Sequence, residues 1–387
     1  MNSVSGRYRK ALALLCILVV GIILTAGLWP FVAPKNNVHW LPVGDGLEFG
    51  KYGTAISLDL IRTNSENNAS ETLEIVLKAA RSQNNGTILS FAESAHPGEP
   101  FSLHQFGNSL VIRRNNVDAN GISRTALISV PGLFQKNSQP LFLTIALNAQ
   151  GMSIYINGRL TNTSLLSGTW NDFTGRVILA NSPFFHDSWP GEITRLAVYD
   201  REISVDRMGA DYSSWKEARR PALGPLDAPV ALYLFNEHEG RVAHNSVDAA
   251  TDLLMPARYF VLHPQFLRTP WREYHPTWGY WEDFFINITG FIPFGFCICA
   301  YLSVMHWTNR PALTTVLLGL LTSLTIELLQ VLLPTRSSGM TDLMTNTLGT
   351  AIGVMLFRSA VGQTLQMHLR AAIVGTRREK QEVSSRS

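Results

Sequence analysis

The chain has 387 residues, 46% of them hydrophobic and 16% charged, with a formal net charge of +3. So small a balance, with no run of Lys and Arg interleaved with aromatics, excludes nucleic acid as a partner held by a basic face. The three cysteines, Cys16, Cys297 and Cys299, all fall in strongly apolar stretches, so the long region between those stretches has no disulfide framework and depends on its own core.

Arg7, Arg9 and Lys10 form a basic segment, residues 1–10, ahead of an uncharged apolar run at 11–29. The run exceeds the roughly 7–15 residues of a signal-peptide core, and no small-x-small cleavage site follows before Pro30 and Pro34. It is read as an uncleaved anchor, a transmembrane helix over 11–31.

Residues 36–258 read as an all-β sandwich, with short alternating runs bounded by turn residues, such as 73–77, 87–91 and 109–113. The clearest hairpin joins 141–147 to 152–156 through Asn148 and Gly151 and ends at Asn157 and Gly158, residue types that tolerate the positive φ of hairpin turns. Runs at 176–180 and 192–199 continue the series, and a short helix follows 200–204.

Residues 259–283 are crowded with Trp271, Tyr274, Trp278, Tyr280 and Trp281 among prolines, the composition of an interfacial connector ahead of a span. Three further spans are expected within 284–357, at 284–304, 312–333 and 343–357, the last of them short and rich in Gly and Thr. Residues 358–387 form a basic tail. Three basic residues precede the first span, Arg310 lies between the second and third, and Arg358, Arg370, Arg377, Arg378, Lys380 and Arg386 follow the fourth, against Arg336 alone in the other short loop. The positive-inside rule then places both termini in the cytoplasm and the β-rich insert outside, in a multi-pass protein of the cytoplasmic (inner) membrane.

The third span contains Glu327, and a carboxylate within a bilayer costs about 2.5–3.5 kcal/mol on insertion scales, so such a residue faces a partner or a watery cavity. Gly319, Ser323, Glu327 and Gln330 share one helical face, and Asp342, Asn346, Gly349 and Gly353 share another. The two stripes should pack together, with Gly349 and Gly353 against Ser323 and Gly319. Asn287 in the second span lies at the same external end, so Asn287, Glu327, Gln330, Arg336, Asp342 and Asn346 form one polar cluster. Three readings follow. The cluster is a structural lock in which Arg336 pairs with Glu327 or Asp342, a pocket for a lipid-linked envelope group, or an ion path. An intramembrane enzyme would use Glu327 or Asp342 as acid or base, with Arg336 steadying an anion.

Two resemblances sharpen this. "LTIALNAQGMSIYINGRL", "GRVILANSPFFHDSWPGEITRLAVYDREIS" and the F-x-E-x-x-G segment from Phe235 to Gly240 resemble the laminin-G-like, concanavalin-A-like jelly-roll sandwich. That resemblance implies a domain that binds glycans or proteins, in some members with calcium. No Glu-x-Asp-x-(x)-Glu strand of the related hydrolases is present. Trp170 and Trp189 are candidate sugar platforms if exposed, and core residues if not. Asp172, Asp187 and Asp200 are the calcium candidates, with turn capping as the alternative; no other cofactor is expected.

The C-terminal helices resemble the VanZ-like membrane family, whose hallmarks correspond here to Asn287, Pro293 to Gly295, Glu327, Gln330, Pro334, Arg336, Asp342, Asn346 and Gly349. That resemblance implies a four-helix transmembrane domain, here with the sandwich inserted after the first span, and a link to glycopeptide-antibiotic resistance without a defined reaction. The whole reads as a mixed-class bacterial envelope protein whose partners are the lipid bilayer and an envelope glycan or glycoprotein.

Overall fold

The computed structural model describes residues 2–63, 70–92, 99–117, 123–135, 139–165, 172–217, 228–274 and 278–359, together with 364 and 367. The chain divides into two compact units, Ala33–Pro264 and Met1–Val32 with Gln265–Ser387. Six helices are described: α1 (Asn2–Leu28), α2 (Val205–Lys216), α3 (Pro270–Glu273), α4 (Trp278–Met305), α5 (Pro311–Gln330) and α6 (Met340–Arg358).

The first unit is a sandwich of two antiparallel sheets. One has Glu71–Ala79 at its centre, between Gly191–Tyr199 and Leu141–Asn148. The other has Asn84–Ala92 between Arg176–Leu179 and Phe101–Gly107. Their alternating apolar residues meet in one core, with Leu73, Ile75, Ile145 and Ile193 from the first sheet against Leu89, Phe91, Phe101 and Leu103 from the second. The expected hairpin forms with Gly151 opposite Asn148, whose Oδ1 accepts from the N–H of Gln150 (2.8 Å) and of Gly151 (3.2 Å). Asn157 and Gly158 adopt φ of 53° and 74°, the left-handed region that this turn requires. The helix expected after residue 204 is α2, capped by Ser204, whose Oγ accepts from the Arg207 N–H. It buries Met208 against Tyr155, Tyr199 and Leu232 on the outer face of the first sheet.

The expected connector does not behave as one element. Tyr259 is fully buried in the sandwich unit, where Phe260 and Leu262 cover Ile56, Ala92 and Ile178. Residues from Gln265 onward belong to the helical unit, and Trp278, Tyr280 and Trp281 are already helical in α4. Aromatic composition alone does not separate rings that bury in a sheet from rings that line a helix end.

In the second unit, Gly6–Leu28, Trp278–Met305 and Pro311–Gln330 are long and apolar enough to cross a membrane. The fourth helix, α6, has 19 residues but is diluted by Thr341, Asp342, Thr345, Asn346, Thr347 and Thr350. Three apolar spans are therefore clear where four were expected, with α6 packed among them. Its small residues face a different neighbour from the one expected. A Cβ on Gly349 or Gly353 would collide with the carbonyl oxygens of Ile288 and Ile292 in α4, so their absence of a side chain lets α6 lie directly on the α4 backbone. The α5 stripe meets other residues of α6, Gly319 against Thr350 and Ser323 against Asn346.

Candidate functional site: a polar cavity among the apolar helices

The C-terminal end of α1, the first turns of α4, the last turns of α5 and the start of α6 come together around a cavity of about 320 Å³. All six residues of the expected polar cluster line it: Asn287, Glu327, Gln330, Arg336, Asp342 and Asn346. Asp283, one turn before Asn287, joins them, and a second cavity of about 280 Å³ shares Asp283, Ser337 and Asp342 and adds Glu273.

Each polar group has a structural reason for its position. Glu327 is 1% exposed, and its Oε2 accepts from the backbone N–H of Gly339 at 2.8 Å, the N-cap residue of α6. Glu273 of α3 accepts from the N–H of Thr341 at 3.0 Å and from its hydroxyl. Two carboxylates thus satisfy amides that a helix start leaves unpaired and oppose the positive end of its dipole. They also explain why α6 begins three residues before the expected span. Asp342, in the first turn of α6, accepts from the Asn287 side-chain amide at 2.7 Å, which ties α4 to α6.

Arg336 does not form the expected ion pair with Glu327 or Asp342. Its Nε and Nη2 donate to the carbonyl of Trp29 at 2.9 and 2.6 Å, and Nη2 also reaches Ala26 at 3.2 Å. A guanidinium at the end of α1 takes up carbonyls that have no partner further along the helix. The lock is therefore Glu327 with the α6 amides and Arg336 with the α1 carbonyls, and the anion clamp that an enzymatic reading needs is already engaged.

The amides complete the picture. Gln330 Nε2 donates to the Gly27 carbonyl at 2.9 Å. Because that partner only accepts, the side-chain orientation is determined and Oε1 is left without a partner. Asn346 Nδ2 bonds Ser323 Oγ at 2.9 Å, and its Oδ1 likewise has none. Sequence reasoning missed Glu273 and the α1 carbonyls. No periodic pattern marks them, because their roles arise only when α1 and α3 reach the α5–α6 loop.

In the sandwich, the expected ligand residues serve the fold. Trp189 is fully buried and its Nε1 donates to Gln105 Oε1 at 2.8 Å, so it is a core residue and not a sugar platform. Trp170 lies outside the described residues. Asp172 pairs with Arg114 at 2.6 Å, Asp187 accepts from Thr87, and Asp200 lies 3.7 Å from Arg201. Among the described residues no group of His, Cys, Asp or Glu is arranged to hold a metal, and each of these three aspartates has the protein partner named. Burial pushes the Asp172 carboxyl up to about 7 against the pull of Arg114, and Glu74 up to about 8 against that of Arg195. Ser102 Oγ lies 2.8 Å from His104 Nε2, and His104 Nδ1 lies 3.7 Å from Asp187. The sequence of groups resembles a nucleophilic triad, but Ser102 is fully buried and Thr87 bonds both His104 and Asp187. No substrate reaches that serine.

Residues 230–362 match the VanZ/LLP1 family, and residues 53–208 match the concanavalin A-like lectin/glucanases superfamily. The chain pairs a VanZ/LLP1-like segment with a lectin-like sandwich. The VanZ/LLP1 match contains α4, α5, α6 and the loop that carries Arg336, together with every cavity residue except those of α1. No curated protein matches the chain. Among solved structures, it is similar to the receptor binding domain of botulinum neurotoxin D (15% identity, 47% of each chain covered, TM-score 0.35) and to that of the botulinum neurotoxin C/D mosaic serotype (14% identity, 46% of this chain and 45% of that one, TM-score 0.36). The chain spans about half the length of these structures.

Proposed function

We propose that the protein is a multi-pass cell-envelope protein of the cytoplasmic membrane whose helical unit holds the polar head of a lipid-linked envelope compound. Its sandwich, on the external side, recruits a glycan or glycoprotein of the envelope. The observation that carries the first half is the cavity lined by four helices, whose lining includes all six residues of the polar cluster, five on helices and Arg336 on the α5–α6 loop. Polar groups within a bilayer are costly unless they serve a partner or a site, and here the helix-capping roles leave two amide oxygens unpaired. The lectin-like match supports the second half, and the distribution of basic residues supports the sidedness. α6 then completes a four-helix bundle, its polar face turned inward. The VanZ/LLP1 match extends the proposal to altered glycopeptide susceptibility in cells that carry the protein.

The test exploits Gly290, which lines the cavity and has nothing within 4 Å of a Cβ placed on it. Gly290→Leu should fill the cavity without a backbone collision. Full-length protein extracted in native-membrane nanodiscs should carry a lipid-like compound, detectable by native mass spectrometry, that Gly290→Leu protein lacks. Glycopeptide susceptibility of a deletion strain should be restored by the wild type and not by Gly290→Leu. Identical lipid content in the two proteins would refute the pocket.

A further inference from the structure

The lining of the cavity is unbalanced, and the imbalance identifies the chemistry of its occupant. This step rests on the pocket reading above. Three carboxylates, Asp283, Glu327 and Asp342, line the cavity against one guanidinium, Arg336. That guanidinium already donates to Trp29 and Ala26. A carboxylate or phosphate entering the cavity would therefore meet three acids against one guanidinium whose hydrogen bonds are made to α1 carbonyls.

Hydrogen bonding points the same way. Gln330 and Asn346 are 8% and 5% exposed, and each leaves its carbonyl oxygen unpartnered. Each amide places one N–H on protein, toward Gly27 and Ser323, and keeps an unpartnered carbonyl oxygen. A buried acceptor without a donor costs about 1–3 kcal/mol, so a ligand that supplies N–H groups recovers that cost. A bare metal ion fits poorly, since no group of acidic side chains among the described residues is arranged to coordinate one.

The geometry points to a protonated primary amine as the group this cavity binds, its three N–H donors shared between the amide oxygens of Gln330 and Asn346 and the carboxylates of Asp283 and Asp342. An ammonium group has three donors and no acceptor, the complement of this lining. A quaternary ammonium carries the charge without the donors and leaves both amides unpaired. The amine belongs either to a membrane lipid headgroup or to a soluble molecule that enters the cavity mouth.

The experiment places full-length protein in phosphatidylcholine nanodiscs doped with either phosphatidylethanolamine or phosphatidylglycerol, with occupancy read by native mass spectrometry. The ethanolamine lipid should bind about tenfold or more above both the choline and the glycerol lipid, as expected for a charge-assisted hydrogen bond. Asp283→Asn, at an exposed position, and the isosteric Asp342→Asn should each reduce that preference by about tenfold. Free ethanolamine in solution separates the sources. Displacement of the lipid at equal concentration indicates a soluble amine, and failure to displace indicates the headgroup. Equal binding of the three lipids, preference for phosphatidylglycerol, or an unchanged preference in Asp283→Asn protein that still elutes as a single species overturns the amine assignment while leaving a pocket. No bound lipid in any disc, with Gly290→Leu indistinguishable from wild type, overturns the pocket itself.

Discussion

The two units bury acids by different means. In the sandwich, buried carboxylates sit beside arginines: Glu74 lies 3.5 Å from Arg195, Asp211 bonds Arg207 at 2.8 Å, and Asp172 pairs with Arg114. In the helical unit, Glu327 and Glu273 are held by backbone amides of α6, and Asp342 by an amide side chain. The first arrangement closes charge upon charge inside a packed structure. The second fastens helices together and leaves two amide oxygens of cavity-lining residues without partners. A buried acid is thus a poor guide to function on its own, and the state of its neighbours decides.

The largest expected effect lies in the sandwich. Trp189→Ala should cost about 3–5 kcal/mol, because it empties a fully enclosed site and orphans Gln105. Hydrogen exchange read strand by strand should show the loss across both sheets. Protection retained at wild-type level would contradict the core assignment. Next comes Gly349→Ala, which forces α6 away from the Ile288 carbonyl and should cost about 1–3 kcal/mol. Its measure is exchange in α4 and α6. If only α5 responds, the α4–α6 contact is wrong.

Glu327 separates structure from site. Glu327→Leu removes the acceptor for the Gly339 N–H and should destabilise the start of α6 by about 1–3 kcal/mol. Glu327→Gln keeps an acceptor and should cost less than about 1 kcal/mol. Detergent-resistance midpoints of the two full-length variants make the comparison, and equal midpoints would argue against the capping role. The last expected effect is a slope with pH. Glu74 titrates near 8 in the fold against an ordinary value of about 4.3, so over that window the native state holds more protons than the unfolded one. Its contribution is complete below the lower value and declines as pH rises through the upper one. Exchange protection in Glu71–Ala79 should therefore weaken between pH 5 and 8, and Glu74→Gln should flatten that decline.

Much of this was legible in the residues. Alternation at period two marked 73–77, 141–147 and 152–156 as strands, and Asn157 with Gly158 marked a turn, because side-chain direction and positive φ are local properties. The three apolar helices and the six polar residues of the cavity were legible for the same reason. Other features were not. Trp189 looks alike in sequence whether it faces sugar or core, and nothing in the α6 sequence shows that Asn346 bonds Ser323 of α5 while Thr345, Thr347 and Thr350 bond carbonyls of α6 itself.

What the residues determined alone was the kind of each element and which polar groups share one face, since hydrophobic period and chain direction suffice for that. Only the tertiary structure decided the partners: Arg336 with the α1 carbonyls, Glu327 with the Gly339 amide, and Gly349 and Gly353 with the α4 backbone. Hydrogen bonds and close approach between helices depend on their rotation and on the path of the loop between them. A repeat of 3.6 residues carries neither.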